Sequence, residues 1–127
     1  MSDNPPHWEA PVDAIVITFD LVDMTPEQYA HLSAELAPSF AALPGLLSKI
    51  WLTDTDRGRR GGLYLFDDAA AAEGFLKSAL ALSVVQNPHF AHCTAQRFTV
   101  DQTTTALTQP KIIVVPAVDP GWPQEGW

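Results

Sequence analysis

The chain has 127 residues, enough for one domain but too few for two, since most domains contain roughly 100 to 150 residues. Its composition, 46% hydrophobic and 17% charged, is typical of a globular protein and excludes a disordered chain or a membrane protein. The formal charge of -8 disfavours nucleic acids and anionic membrane surfaces as partners, because phosphate groups would meet a repulsive field.

No targeting or membrane-spanning signal is visible in the sequence. No apolar run approaches the roughly 20 residues that cross a bilayer, and residues 1–11 lack the basic and apolar regions of a signal peptide. The single cysteine, Cys93, excludes an intrachain disulfide, which agrees with a reducing compartment. We therefore predict a cytoplasmic protein.

Prolines mark the boundaries of the predicted domain. Seven of the eleven prolines lie at positions 5, 6, 11, 110, 116, 120 and 123, outside the segment with periodic apolar patterns. We predict an N-terminal arm at residues 1–12, one domain at 13–106 and a proline-rich tail at 107–127. In the tail, residues 111–115 (KIIVV) are strand-like, and we expect them to clamp a dimer by extending the partner's sheet.

The first half of the domain predicts a strand, a helix and the start of a hairpin. Residues 13–21 (DAIVITFDL) are rich in β-branched residues and too short for a typical helix. Thr25, Pro26 and Gln28 combine a hydroxyl cap, a proline at N1 and a capping-box partner. Pro38 should kink or split the helix, which ends before Gly45. Its apolar stripe consists of Tyr29, Leu32, Leu36, Phe40 and Leu43.

The second half predicts the rest of the hairpin, a helix and a last strand. Residues 46–53 and 62–66 are apolar runs joined by the polar stretch 54–61. The basic, glycine-rich residues 57–62 are interpreted as a solvated loop rather than a nucleic-acid segment. Asp67 or Asp68 caps a second helix ending near Leu82, residues 83–86 form a further short turn, and residues 91–100 are the fourth strand.

This order, β-α-β-β-α-β, predicts an α+β fold of ferredoxin-like topology. Right-handed crossovers place both helices on one face of a four-stranded antiparallel sheet and leave the other face bare. The first strand shows no polar alternation except Thr18, so we expect it to be buried on both sides. A homodimer that packs sheet against sheet is the simplest source of the second cover.

The sequence lacks the common enzyme signatures: GxGxxG, a P-loop, CxxC, HExxH and GxSxG. His89, His92 and Cys93 are the nearest approach to a metal-ligand set, but three or four ligands are needed and no further partner is close in sequence. We interpret these three as ordinary polar and buried side chains and predict no metal.

Alternation along two strands suggests a pocket wall. Lys49 and Trp51 share one face of the second strand, either as a pocket wall or as a snorkelling lysine over a core tryptophan. Tyr64 and Phe66 pose the same question on the third strand, where a buried tyrosine is either a satisfied core residue or a donor that orients a substrate. His31, beside the helical stripe, is either exposed or turned towards the same space.

Residues 44–77 (PGLLSKIWLTDTDRGRRGGLYLFDDAAAAEGFLK) resemble the core of the YdhR-like monooxygenase family. The matching pieces are the PG turn, the KIW triplet at 49–51, the charged loop, GGLYLFD at 61–67 and the helix that closes in FL. With the fourth strand, the resemblance covers most of residues 12–105. The family commonly has a second tryptophan where this chain has Ser48, and residues 86–93 and the tail also depart from it.

The resemblance implies a dimeric α+β barrel similar to the antibiotic-biosynthesis monooxygenases, which work without flavin, haem or metal. In those enzymes a phenolic or anthrone-like substrate lies between helices and sheet, loses a proton, and reacts as an anion with oxygen. It thus implies a cofactor-independent monooxygenase whose partners are an aromatic polyketide or quinol-like molecule, molecular oxygen and a second copy of the chain. A non-oxidative cyclase or isomerase, and a non-catalytic small-molecule-binding dimer, remain open.

Under this interpretation the site residues follow from their chemical types. Trp51 and Tyr64 would hold the ring system, and a cationic or basic side chain would remove the proton or stabilise the enolate; Lys49 is a further candidate for that role. The predicted catalytic residues are His31, Tyr64, His92 and Arg97, and the predicted substrate-binding residues are Lys49, Trp51, Phe66 and Phe40.

Overall fold

The computed structural model describes residues 12–108, which contain one four-stranded antiparallel sheet with the strand order β2-β3-β1-β4. The elements along the chain are β1 (Asp13–Leu21), α1 (Pro26–Ala41), β2 (Leu46–Asp54), β3 (Arg59–Phe66), α2 (Ala69–Leu76), α3 (Ala79–Val85), β4 (Phe90–Thr99) and α4 (Gln102–Thr108). This topology confirms the predicted ferredoxin-like α+β fold.

The start of α1 has the predicted capping box. The backbone N–H of Gln28 donates to Thr25 Oγ1 at 3.1 Å, and the Thr25 N–H donates to Gln28 Oε1 at 2.8 Å. Pro38 lies inside the helix, which is not split there and continues to Ala41. The proline deprives only the Ala34 carbonyl of its donor, and Ala34 is exposed, so water can replace that donor.

The predicted second helix is wrong in its extent, because Ser78 divides it into α2 and α3. The Ser78 hydroxyl donates to the Phe75 carbonyl at 2.6 Å and accepts from the Ala81 N–H at 3.1 Å. It thereby caps α3 while it closes the end of α2. The predicted turn at 83–86 is also wrong, since Ser83 lies within α3 and its hydroxyl donates to the Leu80 carbonyl.

The core lies between the sheet and α1, α2 and α3. Alternate side chains of β1, namely Ile15, Ile17 and Phe19, point to this side and are at most 3% exposed. Phe19 stacks on Phe90 with ring centroids 4.0 Å apart. Gly61 allows β3 to approach β1, because a Cβ at this position would collide with the Ile17 carbonyl oxygen.

The opposite face of the sheet is apolar and carries no helix of α1, α2 or α3. On this open face, Phe98 of β4 is 52% exposed. Four further apolar side chains, from β1, β2 and β3, are partly buried there: Val16, Ile50, Leu63 and Leu65. The bare face predicted from the sequence is thus present; the dimer that would cover it stays a prediction.

Two predicted segments lie outside the described residues: the N-terminal arm up to residue 11 and the strand-like run at 111–115. The helix α4 runs across the predicted domain boundary at residue 106. None of the helices within residues 12–108 is long and apolar enough to cross a bilayer.

Candidate functional site

Lys49 is enclosed by three aromatic rings on the helix-covered face of the sheet. Its Nζ lies 3.2 Å from the centroid of Phe40, 3.3 Å from that of Trp51 and 4.8 Å from that of Tyr64. The pairing of β2 with β3 sets Lys49 opposite Tyr64 and Trp51 opposite Gly62, while α1 supplies Phe40. We call Lys49 and these three rings the lysine cage.

Gly62 makes room for the lysine cage. A Cβ at this position would lie 3.0 Å from Lys49 Cε and 3.1 Å from Tyr64 Cε1, both tighter than ordinary contacts. The two glycines of the GGLYLF segment therefore have different purposes. Gly61 permits close strand pairing, and Gly62 leaves the space that the lysine and the phenol ring fill.

Burial lowers the pKa of Lys49 to about 7, because the ammonium form loses its water. No carboxylate of the described residues pairs with the amine. The faces of the rings attract the cation and moderate the effect of burial. Near neutral pH the amine can therefore both accept and return a proton, which is what a general base requires.

Tyr64 has the opposite character. It is 2% exposed, and burial raises the pKa of its phenol well above the ordinary value. The ring packs against Phe75 with centroids 4.8 Å apart. The phenol therefore stays neutral at physiological pH and can donate a hydrogen bond, but it cannot act as a base.

A narrow cavity and a wider groove meet at the lysine cage. The cavity has a volume of about 20 Å³, room for about one water molecule, and the groove beside it has about 400 Å³. Tyr29, Ser33 and Trp51 line both. A ring-sized ligand therefore fits the groove, and it reaches Lys49 only if a wall side chain such as the partly exposed Trp51 moves.

Two of the predicted site residues do not line the cavity because of where they lie on their elements. The side chain of His31 is 81% exposed and faces Glu35 on the outer surface of α1. It precedes Phe40 by nine residues, about two and a half helical turns, and so points to the opposite side of the helix. Phe66 is completely buried against Phe75, with centroids 5.6 Å apart.

Arg97 is held away from the lysine cage by three partners. Its Nε donates to Asp13 Oδ2 at 2.7 Å, and its other nitrogens donate to Glu73 Oε2 at 3.3 Å and the Ala69 carbonyl at 3.2 Å. These bonds to Asp13 and Glu73 raise the pKa of Arg97. The guanidinium ties β4 and β1 to α2 and does not line the cavity.

His92 lies on the open face of the sheet. The register of β1 and β4 shifts between Thr18 and Asp20, and His92 has a left-handed backbone with φ of 53°. Its Nδ1 is 2.9 Å from Asp20 Oδ2, while Asp20 Oδ1 accepts from Arg59 at 3.2 Å. The sheet therefore separates His92 from Trp51 and Tyr64, contrary to the arrangement expected from sequence.

Within residues 12–108 no three histidine, cysteine or acidic side chains gather closely enough to hold a metal ion. His89 Nδ1 is instead 2.8 Å from the Val22 carbonyl oxygen. Cys93 is partly buried and packs against the core, where burial raises the pKa of its thiol. The three residues considered as ligands thus have separate environments.

Sequence reasoning missed Arg60, which was assigned to a solvated loop. That assignment is wrong: β3 already begins at Arg59, and Arg60 is only 7% exposed on the helix-covered face. Counting back by twos from Phe66 through Tyr64 and Gly62 reaches Arg60, so the alternation of the strand contained the signal. Arg60 lines the groove next to Trp51.

A family model described as "Putative mono-oxygenase ydhR" matches residues 15–111. A comparison with curated proteins gave no match. Among solved structures, protein SO0527 from Shewanella oneidensis has a TM-score of 0.60 at 14% identity, covering 72% of this chain and 93% of that chain.

Two further solved structures share the fold. A point mutant of SnoaB, a cofactor-independent oxygenase from Streptomyces nogalater, has a TM-score of 0.58 at 20% identity, covering 72% of this chain and 94% of that one. A dimeric ferredoxin-like protein of unknown function from Thermobifida fusca has a TM-score of 0.59 at 17% identity, with coverages of 72% and 93%. At these identities the likeness establishes the fold alone.

Proposed function

This chain belongs to the ydhR mono-oxygenase family, and from that premise we propose that it oxygenates a small, electron-rich aromatic molecule without a cofactor. The substrate class would be that of anthrones and quinols, which become reactive towards oxygen once they lose a proton. Lys49 would be the base, and the groove beside Trp51 would receive the rings.

The observation that carries this proposal is the environment of the Lys49 amine. An amine with a pKa of about 7 and no carboxylate partner is unprotonated in a substantial fraction of molecules at neutral pH, and these can take a proton. Once Trp51 has moved and admitted the substrate, the resulting ammonium stabilises the substrate anion next to it, in a site where few water molecules can screen the charges. The surrounding ring faces suit an aromatic substrate, since aromatic pairs pack favourably in offset or edge-to-face contacts.

The proposed reaction balances without any further reductant. For an anthrone, Lys49 removes a proton from the ring methylene, and the carbanion electron pair forms a C–O bond to oxygen. The Lys49 ammonium returns the proton to the peroxide. Loss of the second methylene proton with cleavage of the O–O bond then yields the ketone and water. Two pairs of substrate electrons are thus transferred, one oxygen atom enters the product and the other leaves as water.

Tyr64 would assist as a neutral donor. Its buried phenol keeps its proton at physiological pH, and its ring is next to the Lys49 amine. A hydrogen bond from the phenol to the substrate oxygen would stabilise the enolate as charge develops there. The proposed division of roles is therefore a lysine that moves the proton and a tyrosine that holds the oxygen.

We also propose that the protein is a homodimer formed through the open face of the sheet. The apolar side chains Val16, Ile50, Leu63 and Leu65 form a continuous surface there, together with the 52% exposed Phe98. Burying such a surface against a second copy would remove apolar area from water on both chains. Light scattering on the full chain tests the proposal, and a monomer would contradict it.

Oxygen uptake tests the function. The chelator-treated protein is given a panel of anthrones and naphthoquinols, and the rate is compared with an enzyme-free blank. We expect uptake above the blank, lost in Lys49→Met and kept in Lys77→Met, whose lysine is 78% exposed on the protein surface. Product formed equally without oxygen would point to a cyclase or isomerase, and binding without any product to a non-catalytic protein.

A further inference from the structure

Arg60 is a buried cation without a carboxylate. It is 7% exposed, and its Nη1 donates to the Arg59 carbonyl at 2.9 Å. Arg57, Arg59 and Arg97 each pair with at least one aspartate, so Arg60 differs from the other arginines within residues 12–108. Burying an unpaired guanidinium is costly, and an incoming anion would remove that cost.

The guanidinium lines the groove that leads to the lysine cage. On one side it lies 5.5 Å from the ring centroid of Tyr29, and along the sheet it is paired in register with Thr53. Ser33 lines the same groove, and its Oγ is buried without a hydrogen bond of good geometry, although the Tyr29 hydroxyl is near enough to interact with it. The groove therefore contains a cation that lacks a carboxylate partner and, beside it, a hydroxyl that can donate to a ligand.

The separation of Arg60 from Lys49 matches an extended aromatic ligand. The row of Thr53 and Arg60 lies four residues along the strands from the row of Lys49 and Tyr64, about 13 Å at the backbone. Trp51 lies between the two rows and offers a ring on which a ligand can stack. A fused aromatic system anchored at Arg60 can thus extend towards the amine.

We infer that this groove binds the carboxylate of a fused-ring aromatic acid, which pairs with Arg60 and accepts a hydrogen bond from Ser33. That this acid is also the substrate rests on the proposed function. The substrates would then be those anthrones and quinols that bear a carboxylate. Arg60 and Ser33 are binding residues; the proton transfer stays with Lys49.

Calorimetry with 2-naphthoate and its uncharged amide, 2-naphthamide, tests the inference without any turnover. We expect the wild-type chain to bind naphthoate more tightly than naphthamide by roughly tenfold or more, the usual effect of a hydrogen-bonded charge pair. Arg60→Gln should abolish this preference and leave naphthamide binding unchanged. Arg59→Gln is the matched control, because Arg59 is on the open face and pairs with Asp20, and it should keep the preference.

Equal affinity of the wild type for the two probes would overturn the inference, and so would an equal loss for both in Arg60→Gln. If that variant fails to fold, the comparison of the two probes on the wild-type chain still decides, and Ser33→Ala should weaken naphthoate binding more than naphthamide binding. The outcome is separable from the function. Preferred naphthoate binding with no oxygen uptake from any anthrone would support the inference and refute the proposed oxygenase activity. Equal oxygen uptake with acidic and neutral anthrones would support the oxygenase activity and refute the inference.

Discussion

Replacing Lys49 with methionine is expected to stabilise the fold at neutral pH while it removes the proposed base. The pKa of the Lys49 amine is about 7, against 10.5 for a solvated lysine. At about 1.4 kcal/mol per pKa unit, the full difference corresponds to about 5 kcal/mol. Because part of the side chain stays in contact with water, we expect about half of this, ~2–3 kcal/mol. Methionine fills a similar volume and packs well on aromatic rings.

The stability that Lys49→Met gains over the wild type must depend on pH. Between pH 7 and 10.5 the unfolded chain keeps a proton on Lys49 that the folded chain has released, so this residue makes wild-type stability rise with pH. The advantage of methionine is therefore complete below about pH 7 and disappears near 10.5. Urea unfolding at pH 7 and at high pH measures both values.

Lys77→Met is the matched control for this experiment. Lys77 is 78% exposed, with Glu73 as its only ion-pair partner among the described residues, 4.0 Å away, so its replacement should change the free energy of unfolding by less than about 0.5 kcal/mol. A Lys49→Met variant that is less stable than the wild type at pH 7, or whose gain is the same at both pH values, would refute the assignment of a desolvated amine.

Three further predictions concern the base, the space around it and the open face. The pH profile of kcat/KM should rise through about pH 7 as Lys49 loses its proton; a flat profile there would exclude it as the base. Gly62→Ala should cost about 1–3 kcal/mol of stability by crowding Lys49, whereas Gly74→Ala, in α2 with nothing within 4 Å, should gain about 0.5–1 kcal/mol; urea unfolding distinguishes them. Leu63→Asp should turn the dimer into a monomer in light scattering, and Leu82→Asp, on 52% exposed Leu82 of α3, should not.

The fold was largely predictable because its signals are local. The β-branched run of β1 and the capping box at Thr25 each depend on neighbouring residues, and both are present as expected. The break at Ser78 was missed because a serine within an alanine-rich, apolar stretch gives little sign of which carbonyl it will bind. The Phe75 carbonyl comes within reach of the Ser78 hydroxyl only because α2 ends at Leu76.

The candidate site was predictable only in part. Strand alternation correctly put Lys49 and Trp51 on one face of β2, because side-chain direction in a strand has period two; that Tyr64 of β3 lies beside Lys49 depends on the register of the two strands. The position of His92 depends on a bulge whose register the sequence does not reveal. The altered pKa of Lys49 depends on Phe40, which α1 brings from a distant part of the chain.

Turnover under oxygen-18 gas tests whether the protein is an oxygenase with Lys49 as its base. We expect that each product molecule gains one labelled oxygen atom, that one oxygen molecule is consumed per substrate, and that Lys49→Met abolishes both. Unlabelled product formed at the same rate under nitrogen would contradict it, because Lys49 would then move a proton in a reaction that needs no oxygen.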